Sequence, residues 1–328
     1  MLSVLASAAP APDELWWAWN PDPLVIAGLV ALGWWYRAGR RRRPDPATRL
    51  GGIGEPAGDR WRPRCFAAAL ATIAVALLSP LDAASAALAS AHMVQHVLLV
   101  LVAAPLLALS APGPTIVRGS PLVVRRALTR WPHRLGLDGD TTRVLREPVA
   151  AWLAAVAALW FWHAAGPYGA ALDHTVVHIA EHATFLATAL LFWRCVVGSR
   201  AGGRVPGGVG VLAVFAMAMQ STFLSALLTF ATTPWYEGYA TTTAAYGLTP
   251  LADQQLAGAI MWVPAGFVYV GTALALLVGW IDASGAPGEP DAPPRRPLRT
   301  ARPQTRTVNG VPSSTAELPA TSSKSPGS

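Results

Sequence analysis

The stretch HTVVHIAEHATFLATALLFW, His174 to Trp193, decides the fold. It has the length of a membrane-crossing helix, for which about 20 apolar residues suffice. Yet its first half carries His174, His178, Glu181 and His182. Ionisable groups at membrane depth are costly and face a bundle interior, where partners can meet them. The stretch therefore predicts a helix with neighbours, and the rest of the chain must supply them.

The composition agrees. Of 328 residues, 53% are hydrophobic and only 13% charged, against about a quarter charged in soluble domains. Apolar runs predict seven spans: Pro23–Arg37, Cys65–Ser79, Ala91–Ser110, Pro148–Ala165, His174–Trp193, Val205–Phe230 and Leu256–Ile281. The first two are short. Leu15, Trp16, Trp17 and Trp19 suit an interfacial aromatic belt ahead of the first, and Pro80 closes the second. The expected fold is an all-α polytopic bundle. Residues 1–22 form an external segment, 23–281 the transmembrane domain, and 282–328 a Pro/Ser/Thr/Arg-rich disordered tail. The opening residues lack the basic and apolar regions of a cleaved signal peptide. Two cysteines, Cys65 and Cys195, are too few for a disulfide framework.

The net charge of +7 is distributed in a way that excludes nucleic acid as a partner, because no basic patch is interleaved with aromatics. Instead the basic residues alternate by connection. Nine arginines lie in 37–64, seven in 111–147, three in 194–204, and five with Lys324 in the tail, which accounts for all 25. The connections 79–90, 166–173 and 231–255, and the residues before Arg37, contain none. Because Lys/Arg-rich loops stay cytoplasmic, the N-terminus is expected outside and the C-terminus inside, which an odd number of spans satisfies.

This topology gives the histidines a depth. His92 and His96 begin the third span from outside, His163 ends the fourth there, and His174, His178 and His182 begin the fifth; only His133 lies elsewhere. At about 100° per residue, positions four apart share a helix face. Glu181 falls between the histidines of the fifth span, and the four groups fill an arc of roughly 100°. Met93, Met217, Met219 and Met261 also lie in predicted spans, with Gln220 beside Met219. Imidazole with thioether suits copper, Cu(I) in particular. Glu181, remote from a helix end, fits a partner of histidine or metal. Asp82 and Asp253 stand at outer helix starts, where a carboxylate caps and favours the helix dipole.

Other readings stay open. His178 to His182 matches the H-x-x-E-H pattern of some zinc proteases, although three fixed positions are weakly specific. Facing histidines on the third and fifth spans can hold a bis-His haem in a redox membrane protein. A proton or ion path through Glu181 is a third possibility.

Six motifs occur in order: SPLD (Ser79–Asp82), HMVQHVLLVLVAAPLLAL (His92–Leu109), WHAAGPYGAAL (Trp162–Leu172), VHIAEH (Val177–His182), LTFATTPWYEGY (Leu228–Tyr239) and GLTPLADQQLAGAIMWVP (Gly247–Pro264). Together they resemble the multi-spanning CtaG family of assembly proteins for caa3-type cytochrome c oxidase. The resemblance runs from about Trp16 to Ile281. It implies a non-enzymatic protein of the bacterial plasma membrane that matures the oxidase. Copper insertion into subunit I, toward the outer side of the membrane, is the implied task, with subunit I and other copper chaperones as partners. Carried over by position, the implied metal residues are His92, His96, His163, His178 and His182. Glu181, Asp253, Gln254 and Gln255 are implied polar neighbours, and His174 is a weaker member of the pattern.

Overall fold

The computed structural model describes residues 10–42, 61–134, 147–200 and 207–285, which are helical and contain no strand. Among the described residues twelve α-helices follow one another. The first, α1 (Pro23–Arg41), starts where the Asp22 carboxylate accepts from the Leu24 and Val25 amides at 2.7 and 3.1 Å, and Pro23 occupies the first turn, where its missing N–H costs nothing. Next come α2 (Arg62–Leu78) and the short α3 (Pro80–Ser85), separated by Ser79, which caps α3.

A continuous rod follows, made of α4 (Ala89–Val97), a π-helical turn (Leu98–Ala103) and α5 (Ala104–Ser110). The π turn has a local cause. Pro105 has no N–H to offer the carbonyls preceding it, and the Val100 carbonyl instead accepts from the Trp193 indole at 2.9 Å. Two helices, α6 (Gly113–Gly119) and α7 (Leu122–Arg134), follow. Then come α8 (Pro148–His163), α9 (Ala165–Asp173), α10 (Thr175–Arg200), α11 (Gly207–Thr229) and α12 (Pro250–Gly285).

The core lies among α4, α5, α8, α10, α11 and α12, around Trp162, Phe185, Phe192, Trp193, Leu224 and Tyr269. Where α11 meets α12 the backbones nearly touch: a Cβ at Gly258 would stand 2.7 Å from the Thr229 amide nitrogen. A second close approach joins α1 to α6, where a Cβ at Gly39 would fall on the Thr115 carbonyl oxygen. Large apolar side chains such as Leu212, Phe215, Phe223, Phe267 and Leu274 point outward. That is the arrangement of a bundle with lipid as its solvent.

Four helical stretches are long and apolar enough to cross a membrane: Ala89–Ser110, Thr175–Gly198, Gly208–Thr229 and Pro250–Asp282. A fifth is possible if α8 and α9, bent by 72° at Ala164, count as one span. Seven spans were expected; four or five candidates meet this measure among the described residues. The shortfall lies at α1, whose last turns carry Arg37, Arg40 and Arg41, and at α2, which has 17 residues with Arg62 and Arg64 in its first turn. Neither presents about 20 uninterrupted apolar residues.

Boundaries moved as well. The connection expected at 166–173 is helix α9, and the last span begins at Pro250, ahead of Leu256. The 111–147 connection contains α6 and α7. Residues 1–9 of the external segment and 286–328 of the tail lie outside the described residues.

Candidate metal centre

Three helix starts and one helix end converge at one end of the bundle: α4, α10 and α12 by their N-termini and α8 by its C-terminus. The i, i+4 spacing turns His92 and His96 to one side of α4, and the same spacing turns His178 and His182 to one side of α10. The two pairs face each other. Ring centroids of His92 lie 5.3 Å from His178 and 5.6 Å from His182, and His96 stands 5.3 Å from His182.

Glu181 sits between them and is fully buried. Its carboxylate oxygens lie 3.4 Å from His92 Nε2 and 3.5 Å from His96 Nε2, yet neither oxygen has a hydrogen-bond partner among the described residues. His92 Nε2 and His96 Nε2 are themselves 3.0 Å apart. One ligand atom from each of His92, His178, Glu181 and His182 lies within 4.8 Å of the others. Two ligands on one ion at about 2.1 Å stand at most about 4.2 Å apart, so an ion would draw in the widest pair by at least roughly half an ångström.

The tautomers suit ligation. Tyr239 has one hydroxyl proton and gives it to the Ser85 carbonyl at 2.9 Å. Toward His92 Nδ1, 3.3 Å away, its oxygen therefore accepts, which puts the proton on Nδ1 and a lone pair on Nε2. His163 follows the same logic. Its Nδ1 donates to the Leu159 carbonyl at 2.7 Å, and its buried Nε2 has no partner among the described residues. A ring nitrogen held by a backbone carbonyl while the other is left bare is the usual setting of a metal-ligating histidine. His182 Nε2 and His96 Nδ1 are also buried without partners. A carboxyl group and several imidazole lone pairs, left without partners and out of water, are costly together. A cation at their centre meets all of them at once.

Tyrosines roof the cluster. The Tyr168 hydroxyl is 3.2 Å from that of Tyr239, its ring stacks on Tyr236 at 3.8 Å, and it lies 5.1 Å from His92. Tyr236 donates to the His163 carbonyl at 3.1 Å. Burial pushes the Tyr236 and Tyr239 phenols, which lie in the connection before α12, well above their ordinary range. They stay protonated donors. None of these three was a candidate from sequence, although each lies in a quoted motif; for Tyr168 the available signal was its place five residues after His163.

The other expected residues divide sharply. Asp253 caps α4 across the bundle: it accepts from the Ala89 amide at 2.6 Å, the Ser90 amide at 3.2 Å and the Ser90 hydroxyl at 2.5 Å. Gln254 accepts from the Trp235 amide at 2.5 Å, and Gln255 donates to the Ala231 carbonyl at 3.0 Å. Both thereby hold the segment that leads to Tyr236. Asp82 accepts from Gln95 at 2.9 Å and Asn20 at 2.7 Å, and Gln220 accepts from the Trp160 indole at 3.0 Å. Among the methionines, Met93, Met217 and Met261 are buried. Met219 is 46% exposed on the outside of α11, because positions two apart on a helix face opposite ways. His174 precedes α10 and is exposed, apart from the cluster.

A model of one family, described as cytochrome c oxidase caa3 assembly factor (Caa3_CtaG), matches residues 23–283. Two curated relatives, uncharacterized protein Mb0105 of Mycobacterium bovis and uncharacterized protein MT0111 of Mycobacterium tuberculosis, are each 26% identical over 274 residues. The match covers 80% of this chain and 39% of each relative, so the chain spans about two-fifths of their length. No solved structure matches.

Proposed function

The chain belongs to the cytochrome c oxidase caa3 assembly factor family, and from that premise we propose that it carries copper to the membrane-embedded site of oxidase subunit I. The observation that supports this most is Glu181, buried without a hydrogen-bond partner among the described residues between two facing histidine pairs. Copper is the cargo here. His92, His178, Glu181 and His182 receive it, His96 stands beside them, and Asp253 with Tyr239 fixes where His92 lies. Imidazole nitrogens suit copper in either oxidation state. The arginine distribution supports an outside N-terminus, an inside C-terminus and seven spans in the plasma membrane, with α1 and α2 as the short ones. On that topology the cluster lies in the outer half of the bilayer, at a depth from which an ion can pass sideways to a partner.

The haem and protease readings lack room. The histidine rings pack in T-shaped and tilted pairs with centroids 4.3–5.8 Å apart, which leaves no slot for a porphyrin. His92 and Glu181 have no solvent exposure, which leaves no cleft for a peptide.

The test is cellular. In a host strain lacking the chain, cytochrome oxidase is expected to accumulate with depleted subunit I copper and with its haem retained. The wild-type chain restores the copper, and the His92→Ala/His178→Ala variant, present in the membrane at equal level, does not. Oxidase of normal copper content in the strain lacking the chain contradicts the proposal.

A further inference from the structure

Directly beside the His/Glu cluster lies a partly enclosed, mostly apolar cavity of about 50 Å³. A water-sized guest needs only about 10–15 Å³ on this measure, so the space is ample for an ion. His96 and His163 line it from one side, and Met217, Ser221 and Met261 line it from α11 and α12. His163 presents the bare, buried Nε2 described above. His96 belongs to both places: its Nε2 stands with His92 and Glu181, and the residue also lines the cavity.

The two donor sets differ chemically. Glu181 and its histidines combine a carboxylate with imidazoles, a set that suits divalent as well as monovalent ions. The cavity offers imidazole and thioether and no carboxylate. Soft sulfur favours Cu(I). Charge points the same way. The cost of moving an ion out of water rises with the square of its charge, so a neutral apolar cavity opposes a divalent ion about four times as strongly as a monovalent one.

We propose that this cavity is a second metal station, selective for Cu(I), with His163, Met217 and Met261 as donors and His96 as the residue shared with the first. The inference rests on the copper-cargo reading. It adds a direction, from a permissive entry cluster to a soft inner station, and it assigns roles to two of the four methionines in the predicted spans.

The experiment uses the full-length chain in detergent, loaded either with Cu(I) under a competing chelator or with Zn(II), and examined by metal analysis and X-ray absorption. The expected result is about two Cu(I) but about one Zn(II) per chain, with sulfur at about 2.3 Å seen only for copper. The volume-conserving Met217→Leu/Met261→Leu variant is expected to lose one Cu(I) and all sulfur scattering while keeping Zn(II), which also shows that the fold survives. A wild-type chain that binds Cu(I) with nitrogen and oxygen neighbours only overturns the second station and leaves the proposed function standing. A chain that binds no Cu(I) overturns both.

Discussion

Two kinds of buried polar residue meet at the same end of the bundle, and their hydrogen bonds tell them apart. The carboxylate of Asp253 and the amides of Gln254 and Gln255 are occupied by named donors and acceptors. The carboxylate of Glu181 and the outer nitrogens of His163 and His182 have no partner among the described residues. Residue type does not separate the groups, since each has a carboxylate and each is buried or half-buried. Saturation does. The first group spends its polar atoms fastening α4, α12 and the connection between α11 and α12; the second keeps them for something else. Buried groups are ordinarily satisfied, and the cluster of unmet ones beside a well-satisfied frame is the observation from which we propose a ligand site.

This comparison is breakable. The largest effect on the fold is expected from Asp253→Ala, which strips α4 of its cap from another helix and leaves two amides and a hydroxyl bare. Charged hydrogen bonds and N-caps of this kind suggest a loss of about 3 kcal/mol. The apparent unfolding midpoint in detergent should fall steeply, and Asp253→Asn should recover part of it. An unshifted midpoint would place Asp253 with the ligands.

Glu181→Gln should do the reverse. It keeps the volume and replaces a buried carboxyl that has no hydrogen-bond partner among the described residues, so the midpoint of the metal-free chain is unchanged or raised. Copper affinity should drop about 10–100-fold, the range seen when a group supporting a metal site is lost. A destabilised variant with intact affinity would move Glu181 into the frame. The smallest effect belongs to Met219→Leu, on the outward face of α11: within about 0.5 kcal/mol in stability and unchanged in copper stoichiometry. A lost ion there would make the exposed methionine a ligand after all.

Much of the site was legible in the sequence because both histidine pairs are local. An i, i+4 pair on a helix faces one way whatever surrounds it, and the arginine-free connections bring His92, His163 and His178 to one membrane side. Met219 was also decidable, since it cannot share an inward face with Met217. Contacts that depend on how separate helices align along each other were not legible. Asp253 was expected to cap its own helix and instead caps α4. The tyrosine roof joins residues 71 apart in the chain, and the cavity draws its lining from helices distant in sequence. The 72° bend at Ala164 is equally tertiary. The run AGPYGAALD carries loop signals in glycine and proline, but Pro167 falls in the first turn of α9, where it is tolerated. The span count differs for a plainer reason: α1 carries arginines in its last turns and α2 is only 17 residues long, so neither has the length and apolarity of the other spans.

The central claim is that the facing histidine pairs hold copper, and Cu(I) titration of the purified chain against a competing chelator tests it most directly. The wild-type chain is expected to take the ion from the chelator. The His92→Ala/His178→Ala variant, folded as judged by an unchanged helical circular dichroism spectrum, is expected to lose the ion bound by the His/Glu cluster. Equal Cu(I) uptake by the two proteins would contradict the account.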